Sequence, residues 1–137
     1  MSQENVEIVR AAIEAINRQD FDGLMRCLAA DAEYDFSGSI GLAQGVYGVD
    51  QMPEFWGEIM DPWESTRIEL DHITAVGDKV VARQTTYVRG RDGIELTVRV
   101  AQVWSIRDGL IAHCCLYQEE REALEAVGLS EQDAHAD

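Results

Sequence analysis

The clearest pattern in this sequence is an alternation of apolar and more polar residues from Ile94 to Ile106. Such a period of two predicts a β-strand with one buried face and one polar face. The residues expected on the buried face are Ile94, Leu96, Val98, Val100, Gln102, Trp104 and Ile106. Gln102 is the only amide in that series, so the strand should carry one polar group into an otherwise apolar interior.

Two short polar segments join this strand to its neighbours. Each has the sequence Arg-Asp-Gly, at 91–93 and 107–109, and its glycine can take the left-handed conformation that a tight hairpin requires. Residues 78–89 before the first turn are rich in Val, Thr and Tyr, and residues 110–118 after the second are largely apolar. Three consecutive antiparallel strands are therefore predicted between Asp78 and Gln118.

Apolar residues at helical spacing characterise the N-terminal part of the chain. Val6, Val9, Ile13 and Ile16 recur every three or four residues, which predicts an amphipathic helix beginning near Ser2. Asp20 is expected to cap a second, shorter helix, and Asp50 to cap a third that tolerates Pro53 in its first turn. A fourth helix is predicted over residues 119–127, ended by Gly128.

Two further strands complete the predicted fold, a short one at 33–36 and a longer one at 63–76 with a bulge or twist near His72. Between them, the Gly-rich residues 37–48 are expected to form an ordered loop over one end of the domain. The order of elements predicts an α+β fold with helices packed on one face of a curved antiparallel sheet. A chain of 137 residues suits one domain. We place that domain at residues 1–128 and expect residues 129–137 to be a disordered tail.

Charge and cysteine usage narrow the possible partners. The formal net charge of −15 is spread along the chain, which disfavours binding to nucleic acid or to an anionic membrane. The N-terminus lacks a basic segment followed by an apolar run, so we expect a cytoplasmic protein. The three cysteines and three histidines show no metal-ligand spacing, and no Gly-rich phosphate loop follows a strand. We therefore expect no metal and no cofactor.

Three stretches of the chain carry a family resemblance: MSQENVEIVRAAIEAINRQDFDGL, AQVWSIRDGLIAH and EALEAVGLSE. Together they resemble the SnoaL-like branch of the nuclear transport factor 2 superfamily. The resemblance implies a cone of three helices wrapped by a curved sheet, with a pocket inside the cone. It also implies a homodimer formed through the outer face of the sheet.

The resemblance also indicates where relatives carry their catalytic groups, and this chain lacks those groups. Ketosteroid isomerases use a Tyr and two Asp residues, polyketide cyclases use an Asp in the last strand, and epoxide hydrolases use an Arg and an Asp. The matching positions here are Ala12, Phe36 and Gln102 for the isomerases, Leu116 for the cyclases, and Gln84 and Thr86 for the epoxide hydrolases. None of these side chains is ionisable.

Two ionisable residues remain as candidate catalytic bases. Asp35 is adjacent to the isomerase base position, and a bulge could turn it into an apolar cavity that raises its pKa. Otherwise it is a solvated carboxylate at the end of a strand. His72 could titrate near neutral pH, although it lies in the least regular strand.

The predicted pocket has a neutral lining. Gln102 could donate a hydrogen bond to a ligand carbonyl, or it could pair with Gln84 or with water. The aromatic residues suit a flat hydrophobic ligand, and they are equally suited to an ordinary core. The expected lining residues are Tyr34, Phe36, Trp56, Met60, Trp63, Gln84, Thr86, Val100, Gln102, Trp104, Leu116 and Gln118.

Three functions are compatible with this sequence. The first is a homodimeric protein that binds a small, hydrophobic, largely uncharged molecule, with or without catalysis. The second is an isomerase, cyclase or dehydratase that acts on a polyketide- or steroid-like substrate with Asp35 or His72 as its base. The third is a dimeric association module whose interior is filled by its own side chains.

Overall fold

The computed structural model describes residues 2–39 and 44–129. Four α-helices and six strands occur in this part of the chain, with a short 3₁₀ turn, Val49–Gln51, before the third helix. In chain order they are α1 (Ser2–Asn17), α2 (Phe21–Arg26), β1 (Leu28–Asp35), β2 (Val46–Gly48), α3 (Met52–Met60), β3 (Trp63–Val76), β4 (Lys79–Gly90), β5 (Glu95–Arg107), β6 (Leu110–Tyr117) and α4 (Glu120–Ala126). No helix within the described residues has the length and apolar character needed to cross a membrane.

The strands form one curved sheet in the order β2-β1-β6-β5-β4-β3. The predicted α+β class is confirmed, and the three consecutive strands β4, β5 and β6 pair as antiparallel neighbours. The sheet is nevertheless mixed, because β1 runs parallel to β6. A hairpin turn fixes the relative direction of the two strands it joins, and β1 enters the sheet from α2 without such a turn to β6.

The main core lies on the concave side of the sheet, where α1, α2 and α3 contribute Val9, Ile13, Leu24 and Phe55 against inward-facing residues such as Trp104. Asn17 at the end of α1 fixes this helix to the edge strand β3. Its side-chain amide donates to the Ile68 carbonyl at 2.9 Å, and its Oδ1 accepts from the Ile68 N–H at 2.8 Å. The edge of the sheet is thereby covered at this point.

The fourth helix packs on the opposite, convex side, which corrects the expectation that the helices share one face. Ala123 and Leu124 of α4 form a second, smaller core with Val81, Ala101 and Val103. These residues alternate with the concave series on β4 and β5, so the central strands are apolar on both faces at this level. Leu129, which the sequence analysis assigned to the tail, also packs against this second core.

The alternation on β5 is confirmed from Val100 to Ile106, whose even-numbered residues all belong to the buried concave side. The expectation of burial is wrong for the first part of the series. Ile94, Leu96 and Val98 are 58%, 49% and 46% exposed. Leu96 and Val98 occupy the same face of β5 as Val100, and Ile94 directly precedes the strand, but the helices do not cover this end of the β4–β5 hairpin.

Most of the expected turns and caps are present. Asp20 accepts a hydrogen bond from the Gly23 N–H at 2.9 Å and so caps α2. Gly93 and Gly109 have positive φ values of 89° and 78°, as the two hairpins require. The expected cap at Asp50 is wrong, because Asp50 lies inside the 3₁₀ turn and α3 begins after Gln51.

The irregularity expected in the third strand is confirmed as a register shift between Leu70 and His72. Of the expected loop over residues 37–48, positions 46–48 form β2 and positions 40–43 lie outside the described residues. Residues 130–137 of the expected tail also lie outside them.

Candidate ligand-binding site

An aromatic cluster occupies the concave side of the sheet. Tyr34 is central to it, because Tyr34 and Phe36 both point inward from β1 and its extension, while Phe55 and Trp56 point inward from α3. The Tyr34 ring centroid lies 5.4 Å from that of Phe36, 6.2 Å from that of Trp56 and 6.1 Å from that of Trp104. These edge-to-face and tilted contacts make a rigid apolar wall.

Four polar atoms in this region are buried and have no hydrogen-bond partner among the described residues. They are the Tyr34 hydroxyl oxygen, Nε1 of Trp56, Nε1 of Trp104 and Oε1 of Gln84. Buried polar atoms are nearly always paired, and leaving one unpaired costs about 1–3 kcal/mol. The two indole groups and the hydroxyl can donate, and the Gln84 oxygen can accept. The two indole groups and the hydroxyl therefore lack an acceptor, and the Gln84 oxygen lacks a donor.

Two cysteines lie near the Tyr34 hydroxyl, so its protonation state matters. Burial, together with Cys114 and Cys27, holds the pKa of Tyr34 well above its ordinary value. Burial, followed by a smaller effect of Cys115, similarly raises the pKa of the Cys114 thiol. Both groups therefore remain protonated and neutral at physiological pH, and the Tyr34 hydroxyl, which has no partner among the described residues, can donate a hydrogen bond.

Gln102 is 6% exposed and lies on the concave side, as the alternation predicted. Its Oε1 accepts a hydrogen bond from the Cys114 thiol at 3.5 Å, whereas the alternatives considered from sequence were Gln84 or water. Gln84 is in the neighbouring strand, opposite Val100, and is 4% exposed. The two amides thus lie on the same ladder two register positions apart, with the Arg83–Ala101 pair between them.

The concave positions of β4 and β5 are all uncharged. They comprise Val80, Ala82, Gln84, Thr86 and Val88 on β4, and Leu96, Val98, Val100, Gln102, Trp104 and Ile106 on β5. Ile68 and Leu70 of β3 extend the same apolar wall, since both pack against the main core. These two residues are not among the lining residues predicted above, because the irregular register of β3 obscures which of its residues face inward.

Asp35 is on the convex side of the sheet, so of its two alternative environments the apolar cavity is not the one it occupies. It stands beside Cys115 in register, and its Oδ1 accepts from the Ser37 N–H at 3.0 Å and from the Ser37 hydroxyl at 2.6 Å. These two bonds, with a smaller contribution from His113, lower the pKa of Asp35. The alternative in which an apolar cavity raises the pKa of Asp35 is therefore excluded.

His72 is also on the convex side, opposite Arg83. Its Nδ1 lies 2.8 Å from Oε2 of Glu120 at the start of α4. Next to it, the Thr85 hydroxyl donates to Asp71 at 2.5 Å. The structure therefore separates both candidate bases from Gln84 and Gln102 by the thickness of the sheet.

The remaining predicted lining residues occupy several environments. Phe36, Trp56, Val100 and Leu116 are buried in the main core, whereas Thr86, Met60 and Trp63 are half-buried. Met60 accepts a hydrogen bond from the Thr66 hydroxyl at 3.3 Å, which places the end of α3 beside β3. Gln118 follows β6, and its side chain donates to the Gly38 carbonyl at 2.8 Å.

Trp104 is 1% exposed and lies within the main core on the concave side. Two shallow surface depressions, of about 430 and about 380 Å³, lie at the open end of β3–β5 and beside β1 and the 3₁₀ turn, respectively. Neither is lined by Gln84 or Gln102. Within the described residues, no group of three His, Cys, Asp or Glu side chains is arranged to hold a metal ion.

The position of Asp35 leads to a prediction about acid stability. Because its pKa is lower in the folded protein, the carboxylate contributes stability that is complete above the ordinary pKa of 3.8 and is lost as the pH falls below it. Asp35→Asn should therefore flatten the decline of the thermal unfolding midpoint below about pH 4. Asp61→Asn, at an exposed position outside this group, is the matched control. An equally steep decline in Asp35→Asn would contradict the prediction.

Solved structures with the same fold extend over nearly the whole chain. TerC, co-crystallised with polyporic acid, is 22% identical, with a TM-score of 0.73 and coverage of 90% of this chain and 97% of TerC. An NTF2-like protein of unknown function from Burkholderia pseudomallei is 23% identical, with a TM-score of 0.73 and coverage of 91% and 98%. An LEH-like epoxide hydrolase from M. tuberculosis is 17% identical, with a TM-score of 0.70 and coverage of 92% and 90%. At these identities the likeness establishes the fold alone.

The family is established by a separate comparison. No curated protein matches the chain significantly. The family model described as a SnoaL-like domain matches residues 9–114, which is well over half of the 137 residues. This range runs from α1 into β6 and includes both amides of the concave face. The chain therefore belongs to the SnoaL-like domain family.

Proposed function

We propose that this protein binds a small, hydrophobic, uncharged molecule against the concave face of its sheet. The observation that carries the proposal is the set of four buried, unpartnered polar atoms on Tyr34, Trp56, Gln84 and Trp104. A ligand that supplies their missing partners gains those hydrogen bonds and removes a cost already present in the folded protein.

The chemistry of these atoms defines the ligand class. The indole N–H groups of Trp56 and Trp104 and the hydroxyl of Tyr34 suit a ligand carbonyl or ether oxygen, and Oε1 of Gln84 suits a ligand hydroxyl. The surrounding positions on β4 and β5 are uncharged, so a charged ligand group would be buried without an opposite charge. That burial is unfavourable by several kcal/mol.

Two relatives support a ligand-binding role for this fold. One was crystallised with polyporic acid and another is described as an epoxide hydrolase. The alternative of an isomerase, cyclase or dehydratase with Asp35 or His72 as base receives no support from the geometry, because both side chains lie on the convex side. We therefore propose binding without assigning a reaction.

We also propose that the protein is a homodimer in the cytoplasm. The support for a dimer is the part of the convex face that α4 leaves open, where Tyr87, Thr97 and Arg99 are exposed. Sedimentation equilibrium checks this assembly independently of ligand binding, and a monomer mass at all protein concentrations would exclude it.

A matched pair of probes tests the proposed function. The nine-carbon methyl ketone and nonanoate have similar length, but only the ketone is neutral at neutral pH. We expect the ketone to change tryptophan fluorescence saturably and nonanoate to bind at least tenfold more weakly, because burying its carboxylate is costly. Binding of nonanoate as tight as that of the ketone would contradict a neutral site. Saturable binding of neither probe would favour the alternative of an association module.

A further inference from the structure

The inward-facing apolar series of β5 continues beyond the interior that the helices cover. Val100, Gln102 and Trp104 are at most 8% exposed, whereas Leu96 and Val98 on the same face of β5, and Ile94 directly before the strand, are between 46% and 58% exposed. We refer to Ile94, Leu96 and Val98 as the open stripe. Of the large hydrophobic residues exposed in the described part of the chain, three of five belong to it.

The neighbouring strands continue the stripe as a surface. Thr86 pairs with Val98 and Val88 pairs with Leu96, while Ile68 and Thr66 of β3 stand opposite Thr86 and Val88. All of these side chains are uncharged, although the chain carries 26 acidic and 11 basic residues. The charged residues of the hairpin, including Arg89, Glu95 and Arg99, alternate with the stripe and belong to the other face.

The stripe is continuous with the buried amides. Gln84 pairs with Val100, and Val98 is the next inward position on β5 towards the open end. Leu96 lies four residues from Val100, which corresponds to about 13 Å along the strand. A single elongated molecule can therefore contact Gln84 at one end and Leu96 at the other.

Building on the proposed function, we propose that the open stripe is the binding surface for the apolar tail of an elongated ligand whose oxygen-bearing end contacts the buried polar atoms near Gln84. The ligand class is a neutral ketone or alcohol with an unbranched or flat apolar body of about 7–13 Å, the span along β5 from Val100 to Val98 and Leu96. The stripe explains why an acidic protein leaves three large hydrophobic residues uncovered at the open end of its interior.

The length of the ligand's alkyl chain is the variable that tests this proposal. Methyl ketones with seven, nine and eleven carbons share one polar end and differ only in methylenes. Each methylene buried against the stripe should strengthen binding roughly fourfold, so two should give on the order of tenfold. In the double variant Leu96→Thr, Val98→Thr, most of this gain in affinity with ligand length should be lost. The seven-carbon ketone should bind the double variant and the unchanged protein with the same affinity.

The substitutions are chosen so that the fold is preserved. Leu96 and Val98 are exposed, and Thr is favourable in strands. Val46→Thr is the matched control, because Val46 is a 53% exposed strand residue outside the stripe. Tryptophan fluorescence titration gives the affinities, and sedimentation velocity gives the mass of each variant.

The outcomes separate this proposal from the proposed function. If all three ketones bind with the same affinity, or if the double variant keeps the full gain in affinity with ligand length, the open stripe is not a ligand surface. The proposed binding of a neutral ligand at the buried polar atoms would be unaffected by that result. If no ketone binds the unchanged protein, both proposals fail. If the double variant instead lowers the mass from dimer to monomer, the stripe is a contact between copies and the proposal is overturned.

Discussion

Trp104→Ala is expected to lower the free energy of unfolding by about 3–5 kcal/mol, a large share of the stability of a typical domain. Trp104 is 1% exposed, and its ring lies edge-on to Tyr34 with 6.1 Å between centroids. It sits in the middle of the sheet, paired with Val80 on β4 and Cys114 on β6. Its removal leaves a cavity that these β-sheet neighbours cannot collapse to fill.

Urea denaturation followed by circular dichroism measures this loss. Trp63→Ala is the control, because Trp63 is only half-buried at the start of β3 and should cost less. A loss below about 1 kcal/mol for Trp104→Ala would mean that the aromatic cluster is loosely packed, since full deletions in a tight core cost several times more.

Gln102→Leu should weaken binding of the nine-carbon methyl ketone by on the order of tenfold to a hundredfold, the effect of leaving a buried ligand acceptor without its donor. Gln102 is the only polar side chain in the buried part of the β5 series. Its present partner is the Cys114 thiol, a weak donor. The free energy of unfolding should therefore change little, because Leu fills a similar volume.

Calorimetric titration of the ketone into Gln102→Leu and into Gln3→Leu separates a site effect from a general one. Gln3 is an exposed amide on α1 that bonds Glu7. An unchanged affinity in Gln102→Leu would make this amide a structural group. If Gln84→Leu then lost affinity, the polar centre would lie at Gln84, whose side-chain N–H groups can donate to the ketone oxygen.

Local sequence patterns predicted the elements whose formation depends on neighbouring residues. The alternation on β5, the glycine turns and the Asp20 cap each depend on residues only a few positions apart. They can therefore be predicted from short stretches of the sequence. Asp50 shows where this approach fails. An aspartate before an apolar helix satisfies the capping pattern, but a 3₁₀ turn placed the helix start elsewhere.

The candidate site was only partly predictable for the same reason. Alternation correctly placed Val100, Gln102 and Trp104 on the concave side. It could not give the partner of Gln102, because Cys114 reaches it across the β5–β6 ladder. Nor could it show that Trp56, Trp104 and Tyr34 would bury polar atoms without partners, since that depends on how α3 and β1 meet.

By itself the sequence determined that this protein has an α+β fold with an uncharged apolar face on its central strands, because hydrophobic period and turn chemistry are local properties. Only the tertiary structure decided that α4 covers the convex side, that Asp35 is held by Ser37 away from the interior, and that His72 meets Glu120. These are consequences of strand curvature and of contacts up to 48 residues apart. The tertiary structure likewise decided that the layer of helices does not extend over Leu96 and Val98. How far helices cover a sheet is set by their packing and not by the residue pattern of the strand beneath them.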